Sequence, residues 1–384
     1  MSGPAADPLA KKPRGNYQVR TPRSTRVAAK MQFSGPSGAT PWWHPELYAR
    51  RRPNLLLRQG VLQAIRASFS RQGFVEVETP ALQVSPGLEP HLKAFETRLE
   101  HPDGSTRPLY LHTSPEFAMK KLLVAGEERL FQLAPVFRNG ERAATHHPAF
   151  LMLEWYRAGV DYRAIMADCE TLLRAIAAAC GRTTLRWQGQ QADIAAPWQY
   201  LTVQQAFEMH AGLDLDACIG TDPLYPDLAV MRAACAGIGI RVDDGDSWDD
   251  LYFRVALDRI EPKLGLGAPT VLYDYPIHMA ALSRPRPDNA RLAERFELYA
   301  CGMELANAFS ELTDAAEQLR RFEADMALKK RLYGYDYPID ADFIAALRHG
   351  LPDCAGIALG VDRLVMLLAG ASRIEEVLWL PVSE

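Results

Sequence analysis

The sequence predicts an α+β fold, an antiparallel sheet flanked by helices, and three observations carry that prediction. Residues 130–137 and 150–157 are aromatic and aliphatic runs separated by a polar loop that ends in His146-His147-Pro148, which suits an antiparallel pair. Residues 294–312 carry a second pair of strand-like arms around Cys301-Gly302, a two-residue turn signal. Near the C-terminus a strand containing Gly356 and Gly360 runs into an apolar helix that begins at Arg363.

Composition narrows the class. A chain of 384 residues holds one large or two medium domains, and 48% hydrophobic with 23% charged residues is the balance of an ordinary soluble enzyme. The net charge of -4 argues against a protein that coats nucleic acid. The six cysteines form no CxxC pair and read as reduced core residues of a cytoplasmic protein, and the nine histidines form no HExxH, so no structural zinc is expected. The most apolar run, 356–370, is broken by Asp362-Arg363, so no membrane span is expected. Residues 1–40 hold seven Lys or Arg against Asp7 alone and read as a disordered basic tail, leaving 41–384 as the folded domain.

Taken in order, Asn54 is placed to cap a helix whose apolar positions Leu57, Val61, Ile65 and Phe69 recur every four residues, with Gly73 as its stop. A strand over 74–79 follows and ends at Pro80, which suits a sheet edge, and such an edge often meets its symmetry mate, so a homodimer is expected. Strand 109–113 leads into Ser114-Pro115-Glu116 and a helix through Met119, Leu122 and Leu123. Asp161 caps a helix closed by Gly181; Thr202 with Gln205 and Ser247 with Asp250 are capping pairs. About 182–268 reads as a mostly helical insertion, strand character returns at 270–275, and 314–333 reads as a solvated, charge-alternating helix.

Three groups of residues carry chemistry. On the second arm of the first hairpin, Phe150, Met152, Glu154 and Tyr156 share one face, and a carboxylate buried there costs several kcal/mol unless a cation meets it. Glu154 therefore calls for an internal Lys or Arg, or for a cationic ligand. In the second hairpin the turn brings Glu297 near Glu304, a pair that is either solvated at an edge or bridged by a cation such as Mg²⁺ on nucleotide phosphates. Asn307, Phe309 and Glu311 share a face by the period of two, whereas Glu304 has opposite parity, so a common site requires a bulge near Leu305-Ala306. The third group is the C-terminal junction, whose glycines and arginine suit an anion; the absence of GxxxxGK[ST] excludes a P-loop.

Together, residues 74–80, 137–156 and 356–363 resemble motifs 1, 2 and 3 of class II aminoacyl-tRNA synthetases. The chain is most similar to lysyl-tRNA synthetases and, within them, to shortened paralogues that attach a lysine-type amino acid to a lysine of translation elongation factor P. The resemblance rests on SPE, FRN, MLEWYR, ELAN-F-EL and GIALGVDRL and covers the chain from about Trp42 to its end. It implies a six- or seven-stranded antiparallel sheet, ATP and Mg²⁺ as cofactors, adenylation and then transfer. Arg138 and Arg363 would be catalytic. Asn139, Gly140, Glu141, His147, Phe150, Glu304, Leu305 and Gly360 would join them around ATP, with Glu297 and Glu304 on the metal. Ser114, Pro115, Glu116, Glu154, Tyr156, Asn307, Phe309, Glu311 and Ala358 would line the substrate pocket.

Only about twenty expected ordered residues precede the first helix, too few for the anticodon-binding barrel of the synthetases, so tRNA is not expected as acceptor. Ala358 stands where those enzymes carry glycine, which the resemblance ties to (R)-β-lysine rather than α-lysine. Gly140, Thr145, His147 and Ala149 depart from the motif 2 pattern, with Glu141 and Arg142 as neighbouring stand-ins. These departures keep open a catalytically silent synthetase-like binding subunit; a truncated synthetase is the other alternative.

Overall fold

The computed structural model describes residues 40–222 and 225–382. The expected tail, apart from its last residue, lies outside the described residues. The described chain builds a main sheet of eight strands in the order β1-β5-β6-β13-β12-β11-β10-β9. These are β1 (Val75–Glu76), β5 (Arg129–Phe137), β6 (Ala149–Ala158), β9 (Gln199–Thr202), β10 (Thr270–Pro276), β11 (Leu292–Ala300), β12 (Met303–Ser310) and β13 (Cys354–Gly360). Strands β2 (Leu82–Gln83), β3 (Phe95–Glu100) and β4 (Thr106–Leu111) form a small second sheet, and β7 (Thr184–Trp187) with β8 (Gln190–Asp193) a ribbon.

The six central strands are antiparallel, as the hairpins require, but β1 on β5 and β9 on β10 are parallel. The expected six- or seven-stranded antiparallel sheet is thus an eight-stranded mixed one. Each parallel edge strand is joined to its partner by a long excursion rather than a tight turn. The strand expected over 74–79 shrinks to two residues: beyond Glu76 the Val77 amide still donates to Phe131 O of β5, and Thr79 reaches that strand through its side chain, at Gln132 Oε1.

Helix α1 (Pro45–Arg71) begins nine residues before the expected cap, so Asn54 lies inside it. Pro45 explains the early start, since a proline lacks only an amide that the first turn leaves unpaired. Val61, Ile65 and Phe69 are buried as their spacing demands. Helices α1, α3 (Tyr162–Cys180) and α10 (Val361–Ala369) cover one face of the sheet, where Leu153, Trp155, Phe296, Ile357 and Leu359 form the main core. Asp161 caps α3 and Gly181 closes it in the left-handed conformation.

The opposite face is fringed by α2 (Glu116–Val124), α8 (Ala315–Tyr333) and α9 (Ala341–Gly350). Although its exposed side is charged, α8 buries Gln318, Phe322, Met326 and Lys329 at helical spacing and so is not merely a solvated element. Between β9 and β10 the chain forms α4 (Val203–Ala211), α5 (Leu215–Ile219), α6 (Leu228–Gly237) and α7 (Trp248–Val255). Both expected capping boxes are present, at Thr202 and at Ser247.

Candidate active site

Strand register builds the floor of the site. One cross-strand row runs Gln132, Glu154, Ala358, Asn307, Glu297, and the next on the same face runs Leu130, Tyr156, Gly356, Phe309, Arg295. Cys301 and Gly302, at φ 55° and 73°, make the tight turn between β11 and β12. The required bulge is there: Leu298 pairs with Ala306 and Tyr299 with Glu304, so Leu305 is skipped. That extra residue turns Glu304 onto the face of Asn307 and Phe309.

Above this floor lies a cavity of about 540 Å³, the size of a small-ligand site. At one end three carboxylates from separate elements meet: Glu116 on α2, Glu154 on β6 and Glu311 after β12. Lys120, one turn along α2 from Glu116, is fully buried and pairs with both Glu116 and Glu311. Among the described residues no ion pair reaches Glu154; its carboxylate accepts from Ser114 Oγ at 2.6 Å and Tyr156 OH at 2.9 Å. Burial and the charge of Glu116 push Glu154 up to about 8, and burial raises Glu311 although Lys120 opposes it. One lysine cation facing three carboxylates leaves the pocket short of positive charge.

The expectation of converging carboxylates is therefore met in position, with one correction. Glu154 and Glu311 are wholly enclosed, and of the three only Glu116 lines the cavity directly. Tyr156 and Lys120 account for this by occupying the intervening space. Gly356 is obligatory here, because a Cβ would collide with the Tyr156 ring and stand 2.9 Å from Glu311 Oε1. Ser114, Asn307, Phe309 and Ala358 also line the cavity, whereas Pro115 stands back as the N-cap of α2.

The other end is cationic. Arg363 on α10 donates to Glu304 O at 3.0 Å, and its Nη2 lies 2.7 Å from His146 Nε2, which must be unprotonated to accept. Burial and Arg363 together lower His146. Arg138 lies 5.3 Å from the Phe150 ring, and Glu141 is 3.9 Å away. His147, Leu305 and Gly360 line this end, but Asn139 does not, its backbone N–H donating to Lys93 O at 2.7 Å, and Gly140, at φ 87°, only shapes the loop. Asp362 pairs with Arg58 of α1 and accepts from Leu151 N, locking the start of α10 to the sheet.

Glu297 accepts from Arg295 at 2.6 Å and from Tyr275 and Tyr299 at 2.7 Å, so internal donors already neutralise it. The Glu304 carboxyl, raised by burial and by Glu297, lies 3.8 Å from Arg363 Nη1, and the residue lines the cavity. Its hard oxygens fit a divalent cation held jointly with phosphates. Among the described residues no group of three or more His, Cys, Asp or Glu forms a protein cage for a metal.

Several residues of the site were not singled out from sequence. Lys120 sits one helical turn from Glu116, an i,i+4 signal that could have been read. Arg295 carries no local signal, and long-range contact alone brings it to the cavity; the same holds for Glu89 and His278, which line the cavity but belong to neither end described above. Glu261, raised to about 7 by burial and by Glu297 and Glu304, is likewise known only from the fold.

With this geometry in place the relatives can be set beside it. The chain belongs to the family described as tRNA synthetases class II (D, K and N), which matches residues 47–384. Among the curated proteins it is 41% identical to the Elongation factor P--(R)-beta-lysine ligase of Yersinia enterocolitica, covering 86% of this chain and 95% of that one. Proteins of the same description from Salmonella arizonae, 39% identical over 88% and 97% of the two chains, and Klebsiella pneumoniae, 41% over 85% and 94%, are similar to it as well.

Proposed function

We propose that this chain activates a lysine-type amino acid, (R)-β-lysine, as its adenylate and transfers it to the ε-amine of a lysine on translation elongation factor P. The observation that carries this reading is the division of one cavity into an end with three carboxylates and a single lysine and an end walled by Arg138 and Arg363. The amino acid brings two ammonium groups, which offset the excess of carboxylates over Lys120 at the first end, and a carboxylate, which the second end can orient. Identity of about 40% to ligases acting on factor P, over nearly their whole length, supports the same acceptor.

In the first step the amino-acid carboxylate oxygen bonds to the α-phosphorus of ATP and pyrophosphate departs. No protein nucleophile is needed, and positioning supplies most of the acceleration. Arg138 and Arg363 meet the negative charge that spreads over the α-phosphate in the transition state. Glu304 would hold Mg²⁺ together with ATP phosphates, with Glu297 beside it, and the metal would neutralise the pyrophosphate. In the second step the neutral acceptor amine bonds to the adenylate carbonyl carbon, the C–O bond to phosphate breaks, AMP leaves with the bonding pair, and the nitrogen gives up a proton to solvent. Ala358, between Glu154 and Asn307 in the register, shapes the floor where the amino acid lies.

Exposed Val75, Leu82 and Val84 near the β1 edge support a homodimer through that edge. Mass spectrometry of factor P after incubation with enzyme, ATP and (R)-β-lysine, beside a tRNA-charging assay, tests the reading. A mass increase of one β-lysyl group on factor P with no charged tRNA is expected; charged tRNA with unmodified factor P would overturn it.

A further inference from the structure

The cavity has a second polar arm that neither the adenylating end nor the carboxylate pocket uses. It runs from Glu89, beside Glu116, past Asp325 on α8 to His278 and to Asp249 on α7. Glu89 sits on the segment 86–92, and that segment is a built wall. Lys329, itself fully buried, donates to Pro90 O at 2.8 Å and Leu92 O at 2.6 Å, and its ammonium lies 4.7 Å from the Tyr337 ring centroid. Gly87, at φ 129°, makes the bend; a side chain there would strike Thr113 and come within 3.0 Å of Glu89 Oε2.

Two orphaned groups mark this arm. Glu89 Oε2 is buried with no hydrogen-bond partner. The His278 side chain is only 10% exposed, and neither of its ring nitrogens makes a hydrogen bond; Asp249 Oδ1 lies 3.3 Å from Nε2 but out of line. Buried polar atoms left unpaired in a cavity wall cost free energy unless a guest completes them. The arm's three acids are Glu89, Asp325 and Asp249, and burial together with the neighbouring acids raises Glu89 and brings Asp325 to about 7. A chain of under-neutralised carboxylates leading toward Glu116 suits a primary ammonium on a slender stem.

We propose that this arm, with Glu89 at its inner end and His278 and Asp249 at its outer end, is the binding site for the acceptor lysine side chain of the protein substrate. The proposal rests on the functional reading above and adds to it where the second amine binds. The amino acid occupies the Glu116 pocket while the acceptor ammonium is drawn along the acidic wall to the same chamber. The arm is built from segment 86–92, α7, the turn holding His278 and α8, all outside the three motifs, so acceptor recognition is separable from adenylation.

The test measures two reactions in the same samples of full-length enzyme: (R)-β-lysine-dependent exchange of pyrophosphate into ATP, and transfer to factor P. Asp325→Asn and His278→Gln alter residues on two different elements of the arm, α8 and the turn after β10. Each is expected to keep exchange within about twofold while raising the KM for factor P about tenfold, the size of one lost charged contact. Exchange falling in step with transfer in both variants would overturn the proposal, because the arm would then serve adenylation or the fold. Unchanged KM for factor P in both would overturn it equally. Wild-type enzyme that exchanges pyrophosphate but never modifies factor P would reject the functional reading itself, and this proposal with it.

Discussion

The two ends of the cavity solve opposite electrostatic problems. At the carboxylate end, Glu116, Glu154 and Glu311 are packed against one another with Lys120 as their single paired cation, behind the Tyr156 ring. At the arginine end, Arg138 and Arg363 stand beside open cavity and are only lightly matched by Glu141 and by Glu304, at 3.9 and 3.8 Å. The first end stores an unfavourable arrangement that a dicationic guest relieves, and so it selects. The second holds positive charge ready for negative charge that develops during reaction, and so it accelerates.

The largest expected effect lies at the arginine end. Arg363→Ala should lower the maximal rate of pyrophosphate exchange about 10³-fold, as losing a preorganised transition-state donor does, with little change in the KM for the amino acid. A rise in amino-acid KM without loss of rate would erase the distinction between the ends. Next, Glu311→Gln should raise the KM for (R)-β-lysine about 100-fold and leave that for ATP within about threefold, since it removes a buried charge from the selecting end alone. Equal losses for both substrates would remove Glu311 from the amino-acid pocket. Gly356→Ala should be milder, a drop of about tenfold in amino-acid affinity with about 1–3 kcal/mol lost in stability, because the new methyl displaces Tyr156. Isothermal titration and thermal melting read the two effects.

The smallest effect is a pH dependence confined to the carboxylate end. Glu154 is held up to about 8 in the folded chain against an ordinary value of 4.5. Between those values the folded state binds more protons than the unfolded one, so stability should fall as pH rises from about 5 to about 8. Affinity for the dicationic amino acid should move the other way. Below about pH 8 the guest must displace the Glu154 proton, so binding weakens by up to about tenfold for each unit of falling pH. Glu154→Gln should flatten both slopes, and a wild-type affinity independent of pH between 6.5 and 8 would show that Glu154 is already ionised.

How far the sequence could be read differs between these regions for a physical reason. The two hairpins, the caps at Asp161, Thr202 and Ser247, and the bulge at Leu305 were legible because turn chemistry and strand parity are local. Parity alone put Glu304 on the opposite face, and only the bulge brings it to the site. What was not legible depends on contacts distant in the chain. The parallel edge strands and the arrival of Glu89, Arg295 and His278 at the cavity required the fold, whereas the early start of α1 carried a local signal in Pro45. Lys120 lies between: its spacing from Glu116 was visible, but its second partner, Glu311, is 191 residues away.

The central claim is that buried negative charge chooses the amino acid, and pyrophosphate exchange measured across a short series of amino acids tests it most directly. (R)-β-lysine should support exchange best, α-lysine less well, and norleucine, which keeps the chain but lacks the terminal ammonium, at least about 10³-fold less efficiently, since it leaves the enclosed carboxylates unmatched. Norleucine exchanging at a rate comparable to the lysines would contradict the account.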